Sequence, residues 1–117
     1  MRQTKPEERI IRRVGKDEFV PFSPLSTGEL VLQANPAKPL GVGLHLFRIE
    51  PGCTTTPHNH TGDEEFFVIE GEVVDNDGTV YRQGDLVWLK MGTQHSSYSK
   101  EGALLAVYVA VAESTLS

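Results

Sequence analysis

The chain has 117 residues, 38% of them hydrophobic and 23% charged, with a formal net charge of −5. That length allows one domain with a buried core but not two ordinary ones, and the composition excludes a disordered chain. The acidic balance argues against a nucleic-acid partner, and no apolar run approaches the roughly 20 residues that a bilayer span requires.

Residues 1–20 read as a polar N-terminal extension. Six basic side chains (Arg2, Lys5, Arg9, Arg12, Arg13, Lys16) face only Glu7 and Glu8 in its first 16 residues. A phosphate-seeking arm and a solvated extension are both compatible with that pattern, and the second is preferred. Residues 21–117 read as a single domain. Phe22, Leu25, Leu30, Val31 and Leu32 predict an early strand or two at a sheet edge, followed by a loop holding Pro36 and Pro39. Strands are then predicted over 41–49, 65–74, 79–82, 86–89, 95–99 and 103–111. The turns between them are Pro51-Gly52, Asp75-Asn76-Asp77-Gly78, Gln83-Gly84-Asp85, Gly92-Thr93 and Glu101-Gly102. The 65–74 run alternates poorly and is expected to be buried on both faces. No window carries a sustained 3.6-residue apolar period with caps, so the fold class is all-β, a sandwich or barrel.

The chemistry gathers between two glycines. His58 and His60 stand two apart, a spacing that places both on one side of an extended strand, and Glu64 follows within the same seven residues. Imidazoles and a carboxylate together suit Zn, Fe, Mn or Ni. The single cysteine, Cys53, excludes an intrachain disulfide and suits a reducing cytosol. It could serve as a thiol ligand or nucleophile, but a small apolar residue after a turn is preferred. No basic-then-apolar leader opens the chain, and a cytoplasmic location is expected.

These residues resemble the two motifs of the cupin superfamily. The first is complete: Gly52, five residues, His58-x-His60, three residues, Glu64, six residues, Gly71. The second runs Gly84, five residues, Lys90-Met91-Gly92, two residues, His95, three residues, Ser99, with Lys90 where the pattern has Pro and Ser99 where it has Asn. Within the superfamily, the run His58–Gly71 is most similar to the cupin domain of ChrR-type anti-sigma factors. The resemblance implies a double-stranded β-helix, or jelly-roll barrel, around a central pocket. It also implies one divalent metal ion held by His58, His60, Glu64 and His95. Two-residue parity from Glu64 and His95 places Phe66, Val68, Ser97 and Ser99 on the pocket side. The chain has no counterpart of the sigma-binding module that precedes the cupin domain in those proteins, so anti-sigma activity is not expected of it.

Other candidates carry two readings each. His45 is either a pocket acid or base or a satisfied core histidine, the latter preferred. Asp63 is a loop residue or an orienter of a ligand imidazole, and Arg48 captures a carboxylate or pairs with a surface acid. Glu65, Tyr98 and Trp88 are expected away from the pocket. The favoured function is a metal-dependent, dioxygenase-like enzyme acting on a small oxygenated molecule. The alternative is a non-enzymatic metallo-cupin that binds or senses, which four protein ligands on tetrahedral Zn would favour. A homodimer is expected, from apolar residues at Ile10, Ile11, Phe19, Phe22, Phe67 and Ile69 that need cover.

Overall fold

Twelve short strands and no α-helix make up the described part of the chain, residues 1–25, 27–112 and 114–115 of a computed structural model. The strands are β1 (Val20–Pro21), β2 (Glu29–Leu32), β3 (Gly43–Ile49), β4 (Cys53–Thr54), β5 (His58–Asn59), β6 (Glu64–Asp75), β7 (Val80–Arg82), β8 (Leu86–Leu89), β9 (Gln94–His95), β10 (Ser97–Ser99), β11 (Ala103–Val109) and β12 (Ser114–Thr115). A single 3-10 turn, Pro6–Glu8, precedes them. All pairings are antiparallel. A large curled sheet runs β1-β2-β3-β11-β6-β10-β4, with β7 and β8 also on β6, and a small sheet runs β12-β5-β9.

Strand β6 is the spine. Its first half pairs with β11 and β8, its second half with β7 and β10. The turn-rich tetrapeptide 75–78 closes the β6–β7 hairpin as predicted, with Gly78 at φ +90°. Midway along β6, Gly71 has φ +86°, and a Cβ there would stand 2.3 Å from the Gly102 carbonyl oxygen. Only glycine lets the two backbones meet at that point, which gives the last residue of the first motif a physical reason.

The 65–74 run is not buried on both faces, contrary to expectation. Phe66 and Val68 are buried while Phe67 is 41% exposed, so the strand has one wet face. Its alternation also changes phase: Glu64, Phe66 and Val68 face inward before Gly71, then Val73 and Asp75 after it. The pattern looked irregular in sequence because a bend interrupts a clean period of two. The core consists of Ile49, Phe66, Val68, Val73, Tyr81, Ala103, Leu105, Val107 and Val109. Among the described residues no helix is long and apolar enough to cross a membrane.

Candidate metal centre and cavity

Strands β5 and β9 place His58 directly opposite His95 in register, and the ladder continues through His60, whose backbone N–H donates to Thr93 O at 2.9 Å. Glu64 enters from the start of β6. One nitrogen from each histidine and one oxygen from Glu64 all lie within 4.8 Å of one another. That is close to the roughly 4.2 Å between two ligands on opposite sides of one ion with ~2.1 Å bonds. The three imidazole centroids stand 4.5–5.0 Å apart.

The tautomer of each ring follows from what its Nδ1 meets. His58 Nδ1 lies 2.9 Å from the Thr56 carbonyl, which can only accept. His60 Nδ1 lies 2.8 Å from Thr93 Oγ1, whose own proton goes to Lys90 O at 2.7 Å, so the hydroxyl accepts from His60. His95 Nδ1 donates to the Asp75 carboxylate, 3.0 Å from both oxygens. Each Nδ1 thus carries the proton and each Nε2 presents a lone pair inward. His60 and His58 Nε2 stand 3.1 and 3.9 Å from Glu64 Oε2. His95 Nε2 is buried with no hydrogen-bond partner. Three imidazole lone pairs and a carboxylate turned toward one point are what a divalent ion requires, so the residues fit a metal.

Asp75 is the functional residue that the sequence did not reveal. It opens the hairpin turn and was read as part of it, yet its carboxylate is buried and accepts from His95, from Ser97 Oγ at 2.5 Å and from Tyr81 OH at 2.9 Å. Burial alone would raise its pKa, but the hydrogen bonds from His95, Ser97 and Tyr81 outweigh it and hold the carboxyl below its ordinary value. For His95, burial opposes the charged form, while the bond to Asp75 more than offsets this and raises its pKa. His58 moves the other way, mainly through burial.

Three of the four clustered side chains, His58, Glu64 and His95, line a cavity of about 320 Å³. Its walls are mainly apolar, including Phe47, Ile49, Phe66, Val107 and Val109, and Phe22, Leu25 and Leu40 lie along the loop side. Of the residues placed there by parity, Phe66 and Ser97 line the cavity. Val68 and Ser99 do not reach it: both are fully buried, Val68 in the core and Ser99 with its hydroxyl on Glu72 O at 2.7 Å. Asp63 orients no imidazole; it accepts from Trp88 Nε1 at 3.0 Å and Met91 N at 2.7 Å. Arg48 lies 4.1 Å over the Phe19 ring rather than on an acid, and Phe22 packs edge-on against Phe47. Cys53 is partly buried against the core. Tyr98 and Trp88 are exposed, away from the cavity.

The ChrR cupin-like domain model matches residues 7–112. The chain belongs to that family. No curated protein sequence matches it. Among solved structures it is similar to an RmlC-like cupin protein from Ralstonia eutropha (20% identity, TM-score 0.72, covering 90% of this chain and 70% of that one). It is also similar to an acetylacetone dioxygenase from Acinetobacter johnsonii (15%, 0.73, 100% and 83%). A third likeness is to Rhodobacter sphaeroides SigE in complex with the anti-sigma ChrR (18%, 0.63, covering 82% of this chain). There the cupin-family chain spans half the length of its counterpart. These likenesses establish the cupin fold.

Proposed function

We propose that this cupin binds one divalent metal ion (Fe, Mn, Ni or Zn) through His58, His60 and His95 Nε2 and the Glu64 carboxylate. With it the domain, residues 21–117, binds a compact oxygenated organic anion and acts as a metal-dependent, dioxygenase-like enzyme. The observation that carries the reading is that His58, Glu64 and His95 lie together on the wall of a mainly apolar cavity. One carboxylate against a divalent ion leaves the site positive, and a bound ion polarises an oxygen that chelates it. The chain's own contribution is separate: Asp75, Thr56 and Thr93 hold the three rings in one tautomer, and the apolar walls exclude water and select an uncharged body. Phosphorylated ligands fit poorly, because among the described residues no Lys or Arg lines the cavity.

The second reading, a ChrR-like binding or sensing module without turnover, is favoured by the family to which the chain belongs. Elemental analysis of protein purified without added metal, followed by oxygen-uptake measurements with β-diketones, tests the pair. Stoichiometric Fe, Mn or Ni with oxygen consumption supports the enzyme, whereas Zn with ligand binding and no turnover supports the module.

A homodimer through the outer face of the large sheet belongs to the same proposal, as does a cytoplasmic location. Register places Leu44, Tyr108, Glu65 and Trp88 in one row across four strands and Leu46, Ala106, Phe67 and Leu86 in the next. Leu44 is 68% exposed and Leu86 79%. Phe19 and Phe22 contribute less than their sequence implied, since each already packs within the chain.

A further inference from the structure

Two titratable side chains line the cavity without belonging to the metal cluster, Glu29 and His45. Glu29 is committed to the protein: its two oxygens accept from Thr56 N at 3.0 Å and Thr56 Oγ1 at 3.1 Å. His45 is committed at one nitrogen only. It lies on the inner face of β3, 4% exposed, with Nδ1 3.0 Å from the Gly43 carbonyl. A carbonyl accepts, so Nδ1 carries the proton. Burial lowers the pKa of the ring and keeps it neutral, which leaves Nε2 with a lone pair and no hydrogen. Its neighbours across the sheet are Val107 and then Phe66, and its ring meets Phe47 edge-on, so its in-register surroundings on that face are apolar. That acceptor opens on the cavity and is available to a donor on whatever enters it.

The position of this acceptor relative to the metal cluster sets the shape of the ligand. Register places Gly43, Val109 and Glu64 in one row of the sheet and His45, Val107 and Phe66 in the row two residues on. His45 and Glu64 are therefore two strand spacings apart across the sheet and two residues apart along it, about 12 Å between backbone positions, which their inward-facing side chains shorten. A single-ring molecule bridges such a gap with one end at each site.

Building on the small-molecule reading above, we propose that His45 Nε2 accepts a hydrogen bond from an O–H or N–H donor at the end of the ligand distant from its metal-facing oxygens. The preferred ligand is then bifunctional: an anionic oxygen pair at one end, an apolar ring, and a hydroxyl or amide donor at the other. A purely apolar diketonate of the same length fills the cavity but leaves His45 unsatisfied.

Calorimetric titration of the metal-loaded protein with benzoylacetone and with its 4-hydroxyphenyl counterpart tests this. The wild type is expected to bind the hydroxylated compound roughly three- to tenfold more tightly, the effect of one neutral buried hydrogen bond. In His45→Leu the ratio falls to within twofold, and in His45→Gln, which keeps an acceptor on a longer arm, part of it returns. Metal content is unchanged in both variants, because His45 is not among the clustered ligands. The ratio of two affinities in one variant is insensitive to a general loss of stability, so a structural role for His45 alone would not move it. Equal binding of the two compounds by the wild type, or a preference that survives in His45→Leu, overturns the assignment of His45 while leaving the small-molecule reading intact. Failure of the metal-loaded wild type to bind either compound overturns both.

Discussion

Replacing Asp75 with Asn keeps the shape of the side chain and removes its charge. Three donors converge on this carboxylate: His95 Nδ1 at 3.0 Å, Ser97 Oγ at 2.5 Å and Tyr81 OH at 2.9 Å. An amide offers one acceptor oxygen and turns a donor toward the rest, so at least one charge-assisted hydrogen bond is lost, worth about 1.5–3 kcal/mol. The loss falls on the ring that presents Nε2 to the ion, and a carboxylate behind a ligating histidine typically contributes 10–100-fold in metal affinity. The two figures agree. The expected outcome is a 10–100-fold weaker metal affinity at about pH 8, above the ordinary histidine range. Competition against a chromogenic chelator measures it, with circular dichroism to confirm the fold. The gap should narrow as pH falls, because Asp75 also raises the pKa of His95 and so strengthens the proton as a competitor in the wild type. An Asn variant that is natively folded and binds metal within threefold of wild type at that pH would refute the role given to Asp75.

The paired change His58→Ala/His60→Ala is expected to abolish stoichiometric metal while leaving the β-sheet spectrum largely intact; elemental analysis decides it, and full retention sinks the ligand assignment. In the metal-free protein, burial holds His45 and His58 below the ~6.5 of an unfolded histidine, so their contribution to stability is lost as pH falls through that value. His95, with its raised pKa, contributes in the opposite sense: its stabilisation is present below ~6.5 and fades as pH rises through its folded value. Asp75→Asn removes that compensation, so the melting temperature of the metal-free variant should fall more steeply than wild type on going from about pH 7 to pH 5. Gly71→Ala combines a positive φ with a Cβ 2.3 Å from the Gly102 carbonyl and should cost about 3 kcal/mol or more, read by thermal or urea unfolding. Light scattering at micromolar concentration should give a dimer mass for the wild type and a monomer mass for Leu86→Glu, and a monomer in both sinks the outer-face interface.

The clustering of His58, His60, Glu64 and His95 was more legible in the sequence than its surroundings, and the reasons are local. His58, His60 and Glu64 fall within seven residues, a spacing that survives whatever the rest of the chain does. Strand Leu86–Leu89 and the 75–78 turn were legible because turn residues bracket them. Parity counting finds Phe66 and Ser97, one step from a clustered residue, on the cavity wall, whereas Val68 and Ser99, two steps away, are enclosed by other side chains. Asp75 was hidden because the bend at Gly71 inverts the inward phase of β6, so counting by twos from Glu64 passes over it. A glycine inside a strand pattern was the available signal. The 95–99 run divides in two at Ser96, whose N–H and C=O are taken by Asn76, a contact between distant residues that no local pattern records.

The small sheet that carries the histidines has a mechanical consequence. Strands β5 and β9 are two residues long, far below the length at which paired strands hold themselves together. His58 and His95 face each other across that pairing although 37 positions separate them. An ion bound between them acts as a reversible rivet, closing a long loop much as a disulfide would, with an entropic gain that grows with loop length. Occupancy is then expected to appear as rigidity: amide exchange at Asn59, His60 and Gln94 slows in the loaded protein and quickens when a chelator is added, with β3 and β11 unchanged. If the cluster binds an ion, such a domain would report its presence mainly through the stiffness of one small sheet.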